Sequence, residues 1–189
     1  MSAPPSPSPR TAAVLLAAGH SRRWGPDDKL LAEWNGRPLV SYAASMLCRA
    51  PVDLRAAVVR DPQIGALVDQ ATLLVPEGDD QSSSLRAAVR WAGQMGAGRL
   101  LVLLGDMPLV TERLLVAILG DCKDDTPSAA RHPDGRPGAP ACFPGSLFPA
   151  LSNLHGDRGA GELLQDAACV SAPAAELVDV DVPQDLSAG

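Results

Sequence analysis

The chain has 189 residues, 46% of them hydrophobic and 20% charged, which is the size of one generous domain with enough apolar side chain for a core. Its 17 glycines and 18 prolines stay below the roughly 25–30% at which low complexity becomes the better description. A formal net charge of −6 and only 3% aromatics oppose both a basic phosphate-backbone face and a base-stacking platform, so no nucleic-acid partner is expected.

Residues 1–10, MSAPPSPSPR, carry no apolar stretch that would make a secretory signal or a membrane anchor. They are expected to form a disordered leader ahead of a single domain over 11–189. No apolar run approaches the ~18–20 residues of a membrane span. Cys48, Cys122, Cys142 and Cys169 form no CxxC pair, so neither a zinc site nor a disulfide framework is indicated, and a reducing cytoplasm is the default compartment.

In chain order, Thr11–Ala18 is a continuous apolar run ending at Gly19, the pattern of a strand buried on both faces of a parallel sheet. A polar glycine-containing loop follows. Helical spacing predicts a helix over Leu39–Ala50, a strand over Leu54–Val59, a short helix over Pro62–Ala71 and a strand over Thr72–Val75. A serine-capped helix is expected over Ser82–Met95, and the strand Arg99–Leu104 stops at Gly105-Asp106-Met107-Pro108. Thr111–Gly120 has an N-cap threonine, a first-turn glutamate and a terminal glycine, and reads as a helix. His132–Gly145 is turn-rich and suits a hairpin. Short helices over Gly145–Leu154 and Ala160–Ala167 and a last strand over Ala175–Val182 complete the series. Strands alternating with helices imply an α/β three-layer Rossmann-like fold around a mostly parallel sheet, with ligands at the carboxyl ends of the strands.

Three segments carry chemistry. The first loop, within Ala13–Leu31, holds Gly19, Gly25, Arg22, Arg23 and Lys29 directly after a buried strand. Glycines let backbone N–H groups approach an anion while guanidinium and ammonium groups neutralise phosphate charge. It fits neither GxxxxGK[ST] nor GxGxxG, which removes support for a P-loop ATPase and for a dinucleotide-binding dehydrogenase. The second segment puts Asp106 at a strand's carboxyl end, where a hard cation finds oxygen ligands and substrate phosphates. A helix-capping role is the plainer alternative for Asp106, although Thr111 already supplies a cap. The third is Asp179–Leu186, DVDVPQDL, in which Asp181 on its own suits the cap of a C-terminal helical turn.

The first loop resembles the LAAGxSxRxGxxxK signature of small nucleotidyltransferases with a glycosyltransferase-A-like Rossmann fold. GDMP is similar to their Mg²⁺-binding motif, and DVDVPQDL looks like their DxDTPEDL tail, with Val182 and Gln184 departing from it. Gly135–Phe143 and Leu147–Leu164 resemble the GxPGxPxxF…GDxGARxLL pattern of molybdenum cofactor cytidylyltransferases, within the MobA-like nucleotidyltransferases. Gly138, Pro140, Asp157 and Gly159 keep that pattern, while Gly161 stands where the family usually has arginine. Gln81–Val89 resembles GxSSSLRAG, but Asp80 and Gln81 occupy the region of the expected glycine and Ala88 replaces the second one.

The resemblance implies transfer of CMP from CTP to the terminal phosphate of molybdopterin, with Mg²⁺ as cofactor and a molybdenum hydroxylase as a possible recipient of the product. It implies nucleotide contacts from Leu16, Ala17, Ala18, Gly19, Arg22, Arg23, Gly25, Lys29, Ser82, Ser83 and Ser84. Metal ligation falls to Asp106 and Asp181, acceptor contacts to Gly138, Pro140, Asp157 and Gly159, and catalysis to Arg23, Lys29 and Asp106. Ser82–Ser84 have a plainer alternative as N-cap residues. Ala18 favours CTP, because relatives with LAGG tend to use GTP. A GTP-dependent guanylyltransferase, an enzyme for another phosphorylated metabolite and a non-catalytic cofactor carrier are the competing readings. His20, His132, His155, Trp24 and Cys142 are expected to be loop or packing residues.

Overall fold

The structure is a computed structural model that describes residues 9–19, 24, 28–156 and 160–180. Its centre is a seven-stranded sheet built from β1 (Arg10–Ala17), β4 (Leu54–Val59), β5 (Thr72–Leu74), β6 (Ala97–Leu104), β7 (Ser128–Arg131), β8 (Pro137–Pro144) and β9 (Ala168–Ser171). The order across the sheet is β5-β4-β1-β6-β8-β7-β9. Only β8 runs against the rest, pairing antiparallel with β6 and β7. A two-stranded hairpin, β2 (Glu33–Trp34) and β3 (Arg37–Pro38), stands apart from it. Its turn residues Asn35 and Gly36 both have positive φ, 47° and 80°, which suits the twist of a two-residue hairpin.

The unbroken apolar runs of β1, β4 and β6 follow from burial on both faces. Ala13, Leu15 and Ala17 point into one core with Ala57, Val59, Leu101 and Leu103, while Ala12 and Val14 point into the other with Ala56, Val58, Leu100 and Val102. The first core is closed by α1 (Val40–Arg49) and α4 (Glu112–Asp121), and the second by α3 (Gln81–Gln94) and α5 (Phe148–Ser152). Val40, Ala43, Ala44 and Leu47 on α1 and Leu85, Ala88, Val89 and Ala92 on α3 repeat the i, i+3, i+4, i+7 stripe that turns one helix face inward. The result is the three-layer α/β arrangement expected from the alternation of elements. Among the described residues, no helix is long and apolar enough to cross a membrane.

Several boundaries differ from expectation. The helix expected over Pro62–Ala71 is a single turn, α2 (Pro62–Gly65), capped by the Asp61 side chain and ending at a glycine packed against Leu73. The segments 145–154 and 160–167 are short too: a 3₁₀ turn, Gly145–Leu147, leads into α5, and Ala160–Leu164 is 3₁₀ rather than α. The hairpin is present, but one of its strands, β7, precedes the turn-rich stretch. Within the expected last strand, Ala175–Val182, the described residues 175–180 form no strand. The seventh sheet position is taken by β9, parallel to β7, and Ala174–Leu177 forms a 3₁₀ turn. Leu177 and Val180 are buried, so the apolar pattern there reflects anchoring of a coil on the core.

Candidate active site

The strand order reverses between β1 and β6. From β1 the chain passes through α1 to β4 on one side, and it returns through α3 to β6 on the other. Loops leaving the carboxyl ends of β1 and β6 therefore diverge and leave a crevice between them, the usual ligand position in such sheets. The Gly105 amide donates to the Leu16 carbonyl at 3.0 Å, which holds the two exits side by side. A Cβ on Gly105 would meet both methyl groups of Leu30 at 3.3 Å and the Ala17 methyl at 3.4 Å, so Leu30 and the end of β1 pack tightly against the start of the GDMP turn.

Lys29 is brought there by a 3₁₀ turn, Lys29–Leu31, whose N-cap is Asp28, the Asp28 carboxylate accepting from the Leu30 amide at 2.9 Å. Lys29 Nζ lies 2.6 Å from Asp106 Oδ2 and donates to the Val180 carbonyl at 3.2 Å. The Val180 amide in turn donates to the Asp106 carbonyl at 3.1 Å. Three segments remote in sequence thus meet around Asp106. Asp106 Oδ1 is buried, and among the described residues it has no hydrogen-bond partner. Asp106 does not cap a helix, since the cap of α4 is Thr111, whose side chain accepts from the Leu114 amide. A buried carboxylate oxygen without a donor fits a hard cation, whose preferred ligands are oxygens. Among the described residues no group of three or more His, Cys, Asp or Glu forms a metal cluster.

The first turn of α3 forms another wall. Arg60, directly after β4, donates from Nε to the Ala18 carbonyl at 3.2 Å, reaches Ser83 Oγ at 3.5 Å and the Gly78 carbonyl, and pairs with Asp79 at 3.2 Å. The Ser83 hydroxyl donates within the loop, to the carbonyls of Gly78 and Asp80. The Ser82 hydroxyl donates to Asp80 Oδ2 at 2.8 Å and receives Arg86 at 2.6 Å. Ser82 and Ser83 are thus buried and bonded within the helix start, but they do not cap it as expected: the N-cap of α3 is Asp80, one residue before the helix begins, and Ser84 is 9% exposed. The Arg86 guanidinium and the Ser82 hydroxyl hold the Asp80 carboxyl well below the usual carboxylate range.

Because β8 runs against β6, its first residues lie at the end of the sheet where β6 finishes, beside the crevice. Gly138 pairs with Ala130, and Pro140 is buried. The His132 ring covers Gly138 and contacts the Ala139 carbonyl through Nε2 at 2.8 Å. His132 is therefore a packing element of the hairpin. Cys142 is fully buried, as expected, and Trp24 packs against the α1/α4 core.

The fold brings Leu16, Ala17, Ala18, Gly19, Lys29 and Asp106 to the crevice and the segment Ser82–Ser84 to its wall, with Gly138 and Pro140 at the rim. Arg22, Arg23, Gly25, Asp157, Gly159, Asp181 and His20 lie outside the described residues. Reading the sequence missed Arg60, Asp80 and Arg86. Arg60 carries a signal that could have found it, a cation at the carboxyl end of a buried strand. Asp80 registered only as a missing glycine.

Residues 13–172 match the family of the MobA-like NTP transferase domain. The molybdenum cofactor guanylyltransferase of Pseudomonas fluorescens is 29% identical over 96% of this chain and 94% of its own length. The purine catabolism protein PucB of Bacillus subtilis is 28% identical over 94% of this chain and 95% of its own. The crystal structure of the Rv0371c homolog from Mycobacterium sp. strain JC1 superimposes with a TM-score of 0.81 at 25% identity, covering 95% of this chain and 94% of the other.

Proposed function

The chain belongs to the MobA-like NTP transferase family, and from that membership we propose that it transfers CMP from CTP to the terminal phosphate of molybdopterin, releasing pyrophosphate. The observation that carries the reading is the meeting of Lys29, Asp106 and Val180 at the strand-order reversal, a cation and a carboxylate where a triphosphate would lie. An acceptor phosphate oxygen attacks the α-phosphorus in line, a new P–O bond forms, and the bond between the α-phosphorus and its bridging oxygen breaks. The nucleophile is already anionic near neutral pH, so no general base is required. The protein orients the reactants and stabilises charge.

Lys29 holds the leaving pyrophosphate, with Arg23 and the backbone at Gly19 beside it, and Arg22 and Gly25 complete the loop's contact with the phosphates. Leu16, Ala17 and Ala18 line the nucleotide side, bounded by Ser82–Ser84. Asp106, whose buried Oδ1 has no hydrogen-bond partner among the described residues, would hold Mg²⁺ together with Asp181, which follows Val180 in the chain. When bound, the ion neutralises phosphate charge. Gly138, Pro140, Asp157 and Gly159 face the acceptor. The catalytic unit spans 11–189 and works in the cytoplasm, from which a molybdenum hydroxylase would take the product.

The choice of CTP rests on Ala18 and on the Gly135–Phe143 pattern. GTP is the second reading, favoured by the guanylyltransferase name of the Pseudomonas relative. Pyrophosphate release with Mg²⁺, molybdopterin and each of CTP, GTP, ATP and UTP separates them. CTP-selective release supports the proposal, and GTP-selective release replaces the base. Release with another phosphorylated acceptor but not with molybdopterin overturns the acceptor. Tight binding of the finished dinucleotide without release from any nucleotide points to a carrier.

A further inference from the structure

Two arginines flank the first turn of α3. Arg60 ties it to the first loop through the Ala18 carbonyl, and Arg86 ties it to the chain leaving α5. The Arg86 guanidinium contacts both Asp80 oxygens at 3.1 Å and donates to the Leu154 carbonyl at 2.7 Å. The Gly156 amide donates to Asp80 Oδ2 at 2.9 Å, and the Ser82 amide donates to the Gly156 carbonyl at 3.2 Å. Gly156 makes these bonds at a φ of +68°, a conformation that favours glycine.

Resting on the reading above, we infer that Asp80 and Arg86 are a positioning pair that fixes Leu154–Gly156 against the nucleotide-side helix, and so sets the acceptor side of the site in register with the nucleotide side. The Asn153 and Leu154 amides bond back to the Ala150 and Leu151 carbonyls at 3.2 and 3.3 Å and Leu154 packs on the second core, whereas His155 and Gly156 beyond them are exposed. Water would otherwise take up the Leu154 carbonyl and the Gly156 amide, and the segment would sample many conformations. Asp80 prevents this from a junction. Its backbone carbonyl accepts from the amide and hydroxyl of Ser83, on the side that Arg60 also touches. Its carboxylate accepts from Ser82, Arg86 and Gly156 on the other. Bidentate guanidinium–carboxylate pairing fixes direction as well as distance, which a lysine at position 86 does not reproduce.

The test uses the full chain with Asp80→Ala, Asp80→Glu and Arg86→Lys. Two quantities are followed: hydrogen exchange at the Gly156 amide, and pyrophosphate release titrated separately in acceptor and nucleotide. Asp80→Ala is expected to speed Gly156 exchange about tenfold. It raises the acceptor KM about tenfold and leaves kcat and the nucleotide KM within about twofold. Arg86→Lys shifts the same quantities in the same direction, and it carries the comparison if Asp80→Ala does not fold. Asp80→Glu partly restores them. Faster exchange with an unchanged acceptor KM overturns the positioning role, as does a lowered melting temperature with both KM values unchanged. Equal Gly156 exchange in wild type and Asp80→Ala overturns the latch itself, with or without turnover. Absence of pyrophosphate release from wild type with every nucleotide overturns the activity reading instead, and the acceptor role falls with it.

Discussion

Lys29 Nζ sits 2.6 Å from Asp106 Oδ2, although one residue belongs to the loop after β1 and the other to the turn after β6. Both side chains are mostly buried, 15% and 19% exposed, and Lys29 is also bonded to the Val180 carbonyl. The pair holds a cation and an anion side by side where substrate phosphates would compete for the cation.

Asp106→Asn keeps the shape of the side chain and removes its charge. If Asp106 is the metal ligand, pyrophosphate release falls about 10²–10³-fold, the scale of losing one group that stabilises transition-state charge, and its dependence on Mg²⁺ disappears while the far-ultraviolet circular dichroism stays unchanged. Wild-type turnover at wild-type metal concentration would remove Asp106 from the site.

If Lys29 holds the leaving group, Lys29→Ala costs about 2–4 kcal/mol of transition-state stabilisation, read as a drop in kcat/KM. The same substitution releases the Val180 carbonyl, so hydrogen exchange near residue 180 should rise in parallel. Arg23→Ala is expected to lower kcat/KM similarly. Full turnover in either variant excludes that residue from the phosphate cradle.

Gly138 is a packing constraint. A Cβ there would stand 2.9 Å from two atoms of the His132 ring, which is itself held by its contact with the Ala139 carbonyl. Gly138→Ala should lower stability by about 1–3 kcal/mol, the range for overpacking. His132→Ala in the same chain should return most of the loss. Urea unfolding of the two variants checks both; an unaltered midpoint for Gly138→Ala shows that the ring moves aside freely.

The four thiols divide into two classes. Cys122 and Cys142 are buried, while Cys48 and Cys169 are partly exposed. The neighbouring Cys122 thiol and burial push the Cys142 thiol up. Alkylation of the native protein at pH 8 should label Cys48 and Cys169 and spare the other two until denaturant is added, because burial keeps the reagent from both and Cys142 is also held as the unreactive thiol. Native-state labelling of Cys142 would contradict its place in the core.

The depressed Asp80 carboxyl sets an acid limb. A group whose folded value lies below its unfolded one stabilises the fold above the unfolded value, and that contribution is lost as pH falls toward the folded value. The urea midpoints of wild type and Asp80→Asn should therefore differ by a constant amount near neutral pH. They should converge as pH drops below about 4, where unfolded aspartate gains its proton. A gap that persists unchanged at pH 3 would show that Asp80 acts through shape alone.

The three-layer α/β class was legible because β1, β4 and β6 are apolar on both faces and α1, α3 and α4 carry clear stripes, and both signals are local. Lys29 and Asp106 stood out in the sequence because each lies beyond the carboxyl end of a buried strand, and the structure brings the two side chains together. The last strand was misplaced because Ala175–Val182 alternates as a strand does, yet Leu177 and Val180 anchor a coil, and only pairing with β7 distinguishes the strand at Ala168–Ser171. Asp80 read as a departure from a pattern, and its partners explain it. Arg86 is six residues on, but the Leu154 carbonyl and the Gly156 amide belong to another segment. Sequence by itself determined which residues are apolar, charged or conformationally free, and hence the layers and the chemical vocabulary of the crevice. Tertiary structure alone decided which charge meets which, because ion pairs and backbone hydrogen bonds between distant segments depend on register and loop closure, and neither leaves a periodic trace in the chain.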